Sequence, residues 1–317
     1  MNRLITKIKD NKVGLLMSFF VLFSLIIIGI YAIKHFGTQY AAEKIQQQLE
    51  SSGLTPFVHY QGIHFNPFTL TPSLEDVSFG LESAPWLKFA RISFNHYPIK
   101  YPSLDVDFWI KESSASSLSR DTSRWMRAVG IETLLGKGSF VSEIERNTSS
   151  EQFTAASNLV LNIKDVGRVS FSSQINLLDT NLSMTELRTD LLASVALGQP
   201  EAIFIIHGDN VEISNLDIRY QDAGMMKYLW PNTPTTQTDK SALLSKLQIS
   251  SQDLGLAQAY SVESKHIADT VLAFLQSSTS LNLALSPSSP ISLKEISLMA
   301  GDNNLYQASK MTLSTTP

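Results

Sequence analysis

The sequence predicts a mainly β chain with helices (α+β): an N-terminal transmembrane helix, then an elongated antiparallel β-meander carrying a helical insertion. Three observations predict it. An uncharged apolar run lies near the N-terminus, hydrophobicity alternates with period two from Thr55 onward, and helical spacing replaces that alternation over about residues 222–277.

The apolar run is Val13–Ile33, VGLLMSFFVLFSLIIIGIYAI, without a charged residue. At about 1.5 Å per residue it spans roughly 30 Å, the thickness of a bilayer's hydrocarbon core. Arg3, Lys7, Lys9 and Lys12 precede it, against the single acid Asp10, while Lys34 and Lys44 flank Glu43 beyond it. The positive-inside bias therefore puts residues 1–12 in the cytoplasm and the bulk of the chain across the membrane. A cleaved signal peptide would have a shorter apolar region and a small-x-small site, which Ile33-Lys34-His35-Phe36 does not offer. Residues 34–53 continue as a juxtamembrane helix, with Ala42, Ile45 and Leu49 recurring at helical spacing and Gly53 as its stop.

Residues 54–317 read as one β-rich domain. Val58–Phe65 ends at the turn Asn66-Pro67, and LEDVSFGL, FARISFNHY and LDVDFWIKE follow as successive strands. In LEDVSFGL, Glu75, Val77 and Phe79 alternate against Leu74, Asp76 and Ser78. In LDVDFWIKE, Leu104, Val106, Phe108 and Ile110 share one face, and Asp105, Asp107 and Trp109 the other. Val77, Phe79, Val106 and Phe108 are thus the candidate inward apolar face. Ser119–Val129 is a helical interruption. Strands resume at GSFVSEIER, FTAASNLVLNI, GRVSFSSQINLL, EAIFIIHG and VEISNLDIRY, and connections this short imply antiparallel pairing. Asp222 is an N-cap for DAGMMKYLWP; LLSKLQI and Tyr260–Gln276 complete the helical insertion, and SLNLALSP and PISLKEISL return to alternation.

The 317 residues include no cysteine, which excludes disulfides, thiolate metal sites and cysteine nucleophiles. A net charge of -4 argues against nucleic acid as a partner. His59 and His64 fall on opposite faces of a regular strand, and HExxH is absent. Asp105 and Asp107 share a face, but beside Trp109 they read as the solvated side of a half-buried sheet. Gly136-Lys137-Gly138 lacks the rest of a phosphate loop, and neither GxSxG nor GxGxxG occurs. No cofactor, metal or catalytic residue is expected, and the chain reads as a non-enzymatic protein.

The stretch YQGIHFNPFTLTPSLEDVSFG, following an anchor and a short helix, resembles the start of AsmA/TamB-type envelope proteins. Tyr60, Pro67, Leu74, Asp76, Val77 and Phe79 carry the likeness. LDIRYQDAGMMKYL and LNLALSPSSPISLKEI resemble the distal part of inner-membrane proteins of proteobacteria with this layout. The resemblance implies a repeating-β groove facing the periplasm, a single pass through the bacterial inner membrane, and a role in lipid handling or envelope integrity. Phospholipid and other envelope proteins are the partners it implies, and it brings no catalytic residues. The chain is far shorter than members thought to bridge both membranes. An alternative role is scaffolding in a membrane complex, with the helical insertion as the contact.

Overall fold

The protein's computed structural model describes residues 2–96, 103–115, 120–146, 153–178, 182–199, 201–226, 237–277 and 280–316, without the side chains of residues 2–22, 84, 120–122, 146, 184, 237, 238 and 277. The first element, α1 (Asn2–Ser51), is one continuous helix, about 75 Å long at 1.5 Å per residue. Its last turns are built from good helix formers. Gln46 Nε2 donates to Glu50 Oε1 at 2.9 Å, and Gln47 Nε2 to Glu43 Oε1 at 3.3 Å, both one turn apart. Gly53, at φ 68°, ends it, and the Leu54 N–H donates back to the Leu49 carbonyl at 2.9 Å.

Among the described residues of α1, those of its C-terminal part dock on the domain. Ala41 and Ile45 are buried, whereas Phe23, Leu25, Ile26, Ile27, Ile28, Tyr31 and Ile33 are all exposed. Among the described residues no helix is long and apolar enough to cross a membrane. The predicted span Val13–Ile33 lies partly outside them, because side chains are described only from Phe23.

The rest is mainly antiparallel sheet with several helices. The strands β1 (Val58–His59), β2 (Gly62–Asn66), β3 (Thr71–Leu81), β4 (Ala84–Phe94), β5 (Leu104–Ser113), β6 (Thr133–Arg146), β7 (Phe153–Ile163), β8 (Gly167–Leu177), β9 (Val211–Asp222), β10 (Ser280–Leu285), β11 (Ile291–Ser292) and β12 (Met311–Thr316) form one sheet. It is a meander in the order β1-β3-β4-β5-β6-β7-β8-β9-β10-β12, with β2 on β3 and β11 on β9. β1 and β2 pair with β3 in one register, Val58 opposite Phe79 and Phe65 opposite Pro72, so they are one strand interrupted at Tyr60-Gln61.

The helices are α2 (Arg120–Ala128), α3 (Met184–Ala196), α4 (Ala202–Ile206), α5 (Gln237–Asp253), α6 (Val262–Ser277), α7 (Leu293–Gly301) and α8 (Leu305–Ala308). Asp222 caps a further turn: its carboxylate accepts from the Gly224 and Met226 N–H groups, each at 3.0 Å. The remainder of DAGMMKYLWP lies outside the described residues.

Three readings of the sequence are corrected. EAIFIIHG is not a strand. β9 already pairs directly with β8, leaving this run no neighbour, and it folds as the short α4 with Ile203 buried. A short apolar run has no periodicity of its own to decide the matter. In PISLKEISL only Ile291 and Ser292 pair, with Ile213 and Glu212. Ser292 and Glu295 then form a reciprocal capping box that starts α7, so local capping overrides the alternation.

The third correction concerns β3. Leu74 does not face away from Val77; both are buried in one cluster with Ile45. Asp76, between them, has a left-handed backbone at φ 49°. That single residue turns the strand by a face, so two residues of opposite parity end up on the same side.

Candidate functional site

The strand registers align one row of side chains across eight strands. Phe94 pairs with Val106, Val106 with Phe140, Phe140 with Leu159 and Leu159 with Phe171. Phe171 pairs with Ile218, Ile218 with Leu283 and Leu283 with Leu313. Every member is apolar. Seven strand spacings of about 4.8 Å make the row roughly 34 Å long. The neighbouring parity on the same strands carries Asp105, Asp107, Ser139, Asn158, Ser170, Ser172, Asp217 and Arg219, so one face of the sheet is apolar and the other is polar.

At the β3–β7 end the row enters a cavity of about 360 Å³ under α1 and α3. The four predicted inward residues, Val77, Phe79, Val106 and Phe108, all line it, together with Leu74, Phe89, Phe140 and Leu159. Val77 is 1% exposed, and Val106 and Phe108 are buried. The aromatic wall is a chain of edge-on contacts: Phe79 to Phe89 at 5.8 Å and Phe89 to Phe108 at 5.3 Å between centroids. Phe108 lies over Gly138. A Cβ there would stand 2.8 Å from the Val160 carbonyl and closer still to the Phe108 ring. The second glycine of Gly136-Lys137-Gly138 is therefore a packing requirement of a mid-strand position.

α3 covers this cavity, and the sequence reading passed over it. Thr185, Arg188, Thr189, Leu192 and Val195 of α3 line the wall opposite the sheet. The helix starts at Ser183, whose hydroxyl accepts from the Glu186 N–H at 3.1 Å, and Ser-x-x-Glu was the legible signal. Gly198, at φ 71°, lies just past its end. Two polar contacts pin it across the sheet. Arg188 donates to Ser142 Oγ on β6 at 2.5 Å, and the Ser142 hydroxyl lies 2.9 Å from that of Ser157. Near its other end Trp86 Nε1 donates to the Ala196 carbonyl at 2.9 Å. The described lining is carbon apart from Gln48, Ser52, Thr185, Thr189 and Arg188. Apolar cavities walled this way stay dry and accept apolar guests.

The opposite end of the row enters a second apolar cavity, of about 340 Å³, beneath α5 and α6, which takes in Ile218, Leu283 and Leu313. Phe171, half-buried, is the member of the row that stands between the two. Tyr220 borders the second cavity; its hydroxyl lies 2.8 Å from the Val166 carbonyl and 2.9 Å from Asp222 Oδ1. Burial first, then its hydrogen bond to Asp222 and that residue's charge, hold its phenol far above the ordinary tyrosine range. A larger concavity of about 780 Å³ lies by the β7–β8 turn, where Lys111, Lys137, Lys164, Asp165, Arg168 and Asp222 stand among Trp109, Ile110, Leu135 and Ile163.

The remaining candidates stay apart. Asp105 and Asp107 are on the polar face. Asn95 Nδ2 donates to Asp105 at 2.8 Å, and Trp109 lies 5.4 Å from the Arg91 guanidinium and 5.5 Å from the Lys137 ammonium. His59 and His64 pair with Ser78 and Ser73, five positions apart on β3, and His64 Nε2 lies 3.3 Å from Glu75. Among the described residues no group of three His, Asp or Glu side chains converges as a metal site would require.

Residues 160–316, from β7 to the end of β12, match the model of a family described as "Uncharacterized protein". No curated protein matches the chain.

Proposed function

We propose that this chain is a non-enzymatic, single-pass protein of the bacterial inner membrane that binds lipid acyl chains along the apolar row of a periplasmic sheet. The carrying observation is the row itself: eight in-register apolar residues whose two ends lie in two cavities of acyl-chain character. Each methylene removed from water contributes about 0.8 kcal/mol, so an alkyl chain is a natural occupant of a wall made of Phe, Val, Leu and Ile. The volumes sit at the low end of the roughly 300–1,000 Å³ common for ligand sites. Arg188 and Thr185 of α3 supply hydrogen-bond donors to an anionic headgroup at the polar side of the first cavity.

The membrane part of the reading is supported by the exposed apolar side chains of α1 from Phe23 to Ile33 and by the uncharged sequence ahead of them. Envelope maintenance in the manner of AsmA/TamB-type proteins is the role this reading favours. Alkaline phosphatase fused after Pro317 is expected to be active in intact cells; a stable, inactive fusion removes the periplasmic assignment.

Native mass spectrometry of the full chain in detergent tests the binding. Phospholipid is expected to be released from the parent protein. Leu192→Trp, which fills the first cavity from α3, is expected to reduce the released lipid severalfold with an unchanged circular dichroism melt. Release from both proteins in equal amounts removes the β3–β7 cavity as the site. A second reading, scaffolding through the helical insertion, is favoured by the exposure of Leu254, Tyr260 and Val262 around the α5–α6 connection. A stoichiometric protein partner without lipid in the same spectra would decide for it.

A further inference from the structure

The β2–β3 hairpin ends in the turn Asn66-Pro67-Phe68-Thr69-Leu70. Asn66 organises it: its side-chain oxygen accepts from the Phe68 N–H at 2.9 Å, and its carbonyl from the Leu70 N–H at 2.8 Å. The turn does not bury its apolar residues. Phe68 is 79% exposed and Leu70 is 51% exposed. Leu70 also holds a left-handed backbone, φ 57°, at a position where glycine or asparagine would sit without strain. An ordered turn thus projects a phenyl ring and a leucine into solvent.

The direction of that projection is set by α1. Ile45 of α1 packs in one cluster with Ile63 and Leu74. Two turns nearer the N-terminus, Gly37 meets the next inward residue of β2, Phe65; a Cβ on Gly37 would overlap the Phe65 ring. Moving from Ile63 to Phe65 along β2 is therefore moving from Ile45 towards Gly37 along α1. Phe68 lies three residues further along the same path, up to about 10 Å beyond Phe65. Ile33, the last residue of the apolar run, lies four residues beyond Gly37, about 6 Å along the helix. The hairpin tip thus points past the docked part of α1, towards the apolar part in which Leu25, Ile26, Ile27, Ile28 and Ile33 are exposed. Tyr31 and Phe36 are exposed on the helix at that level, as amphipathic rings at a bilayer interface are.

We infer that the Asn66–Leu70 tip is a second membrane contact, with Phe68 and Leu70 inserted among the headgroups and upper acyl chains of the bilayer that α1 crosses. The inference rests on the membrane reading above. Two contacts, helix and hairpin, stop the domain from swinging about α1 and hold the edge of the sheet that walls the first cavity against the lipid surface. The occupant is lipid because the tip projects towards the exposed apolar part of α1.

The absence of cysteine allows single labels. Full-length chains bearing Phe68→Cys, Ile28→Cys or Leu81→Cys are labelled with an environment-sensitive fluorophore. They are then reconstituted into phosphatidylethanolamine/phosphatidylglycerol vesicles, with and without lipids spin-labelled near the top of the acyl chain. Leu81, exposed at the other end of β3, is the aqueous control. Position 68 is expected to be blue-shifted and quenched by the spin-labelled lipid, like position 28 and unlike position 81. Quenching at 28 with an aqueous signal at 68 overturns the hairpin contact alone. A blue shift at 68 without lipid quenching also overturns it, since protein then covers the tip. An aqueous signal at both 28 and 68 overturns the membrane reading itself.

Discussion

The two ends of the apolar row are covered in different ways. At the β9–β12 end, α5 and α6 pack on each other and over the sheet. Beside them Leu285, Leu305 and Met311 form a buried cluster with Ile213, Leu216 and Met299 partly buried around it. At the β3–β7 end α3 crosses the sheet beside the docked turns of α1, held by the hydrogen bonds of Arg188 and the Ala196 carbonyl and by the 2.7 Å contact of Asp190 with His207, and its cavity-lining Leu192 remains 39% exposed. The same strand pattern supports both ends. What differs is burial: Leu285 is 2% exposed and Leu192 39%, and the less buried contact is the one that can open at lower free-energy cost.

The comparison breaks most readily with truncations. Leu285→Ala, in the closed cluster, is expected to cost about 2–5 kcal/mol, through lost transfer free energy and a cavity that its neighbours cannot fill. Leu192→Ala, on the partly exposed face of α3, is expected to cost about 1 kcal/mol or less. Urea melts of the two variants measure the gap; equal losses would mean that the β3–β7 end is as closed as the other.

A smaller effect is expected at Gly138. Alanine there must move the Phe108 ring, while the Val160 carbonyl on the other side belongs to the sheet and cannot yield. Overpacking of this kind costs about 1–3 kcal/mol. Because Phe108 would be driven into the first cavity, Gly138→Ala should also lower lipid release, whereas Leu285→Ala should not. Native mass spectra of the two variants at matched stability would separate the outcomes.

The smallest effect is a pH dependence at the same end. Glu112 has the strand parity of Val106 and Phe108, and burial raises its carboxyl above the ordinary value of 4.5, with the Lys88 charge acting in the opposite direction. An acid whose pKa is raised on folding favours the fold while protonated, and that contribution is lost as pH rises from about 4.5 through the folded value. Glu112→Gln removes the titration. Relative to the parent, its melting temperature is expected to increase across that window and stay above it at neutral pH. A constant difference from pH 4 to pH 7 would show that the apolar face is too wet there to perturb a carboxylate.

Much of this architecture was legible in residue order. Period-two alternation located β3 to β9 and their antiparallel pairing, because a sheet with one dry face imposes that period on its sequence. It also selected Val77, Phe79, Val106 and Phe108, which the structure brings to one cavity wall. Parity failed at a single point in β3, where Asp76 adopts a left-handed backbone that alternation cannot register. The helices α3 and α7 were missed or misread although Ser183-x-x-Glu186 and Ser292-x-x-Glu295 announced both, since a capping box occupies four residues and a strand-like pattern around it is longer. Only the tertiary structure decided the site. Register between strands distant in sequence aligned Phe94 with Leu313 across the sheet, and the path of α3 brought Leu192 to the cavity that Val77 lines. Both depend on long-range pairing, and local periodicity carries information only about which face a residue takes, not about which residues will share it.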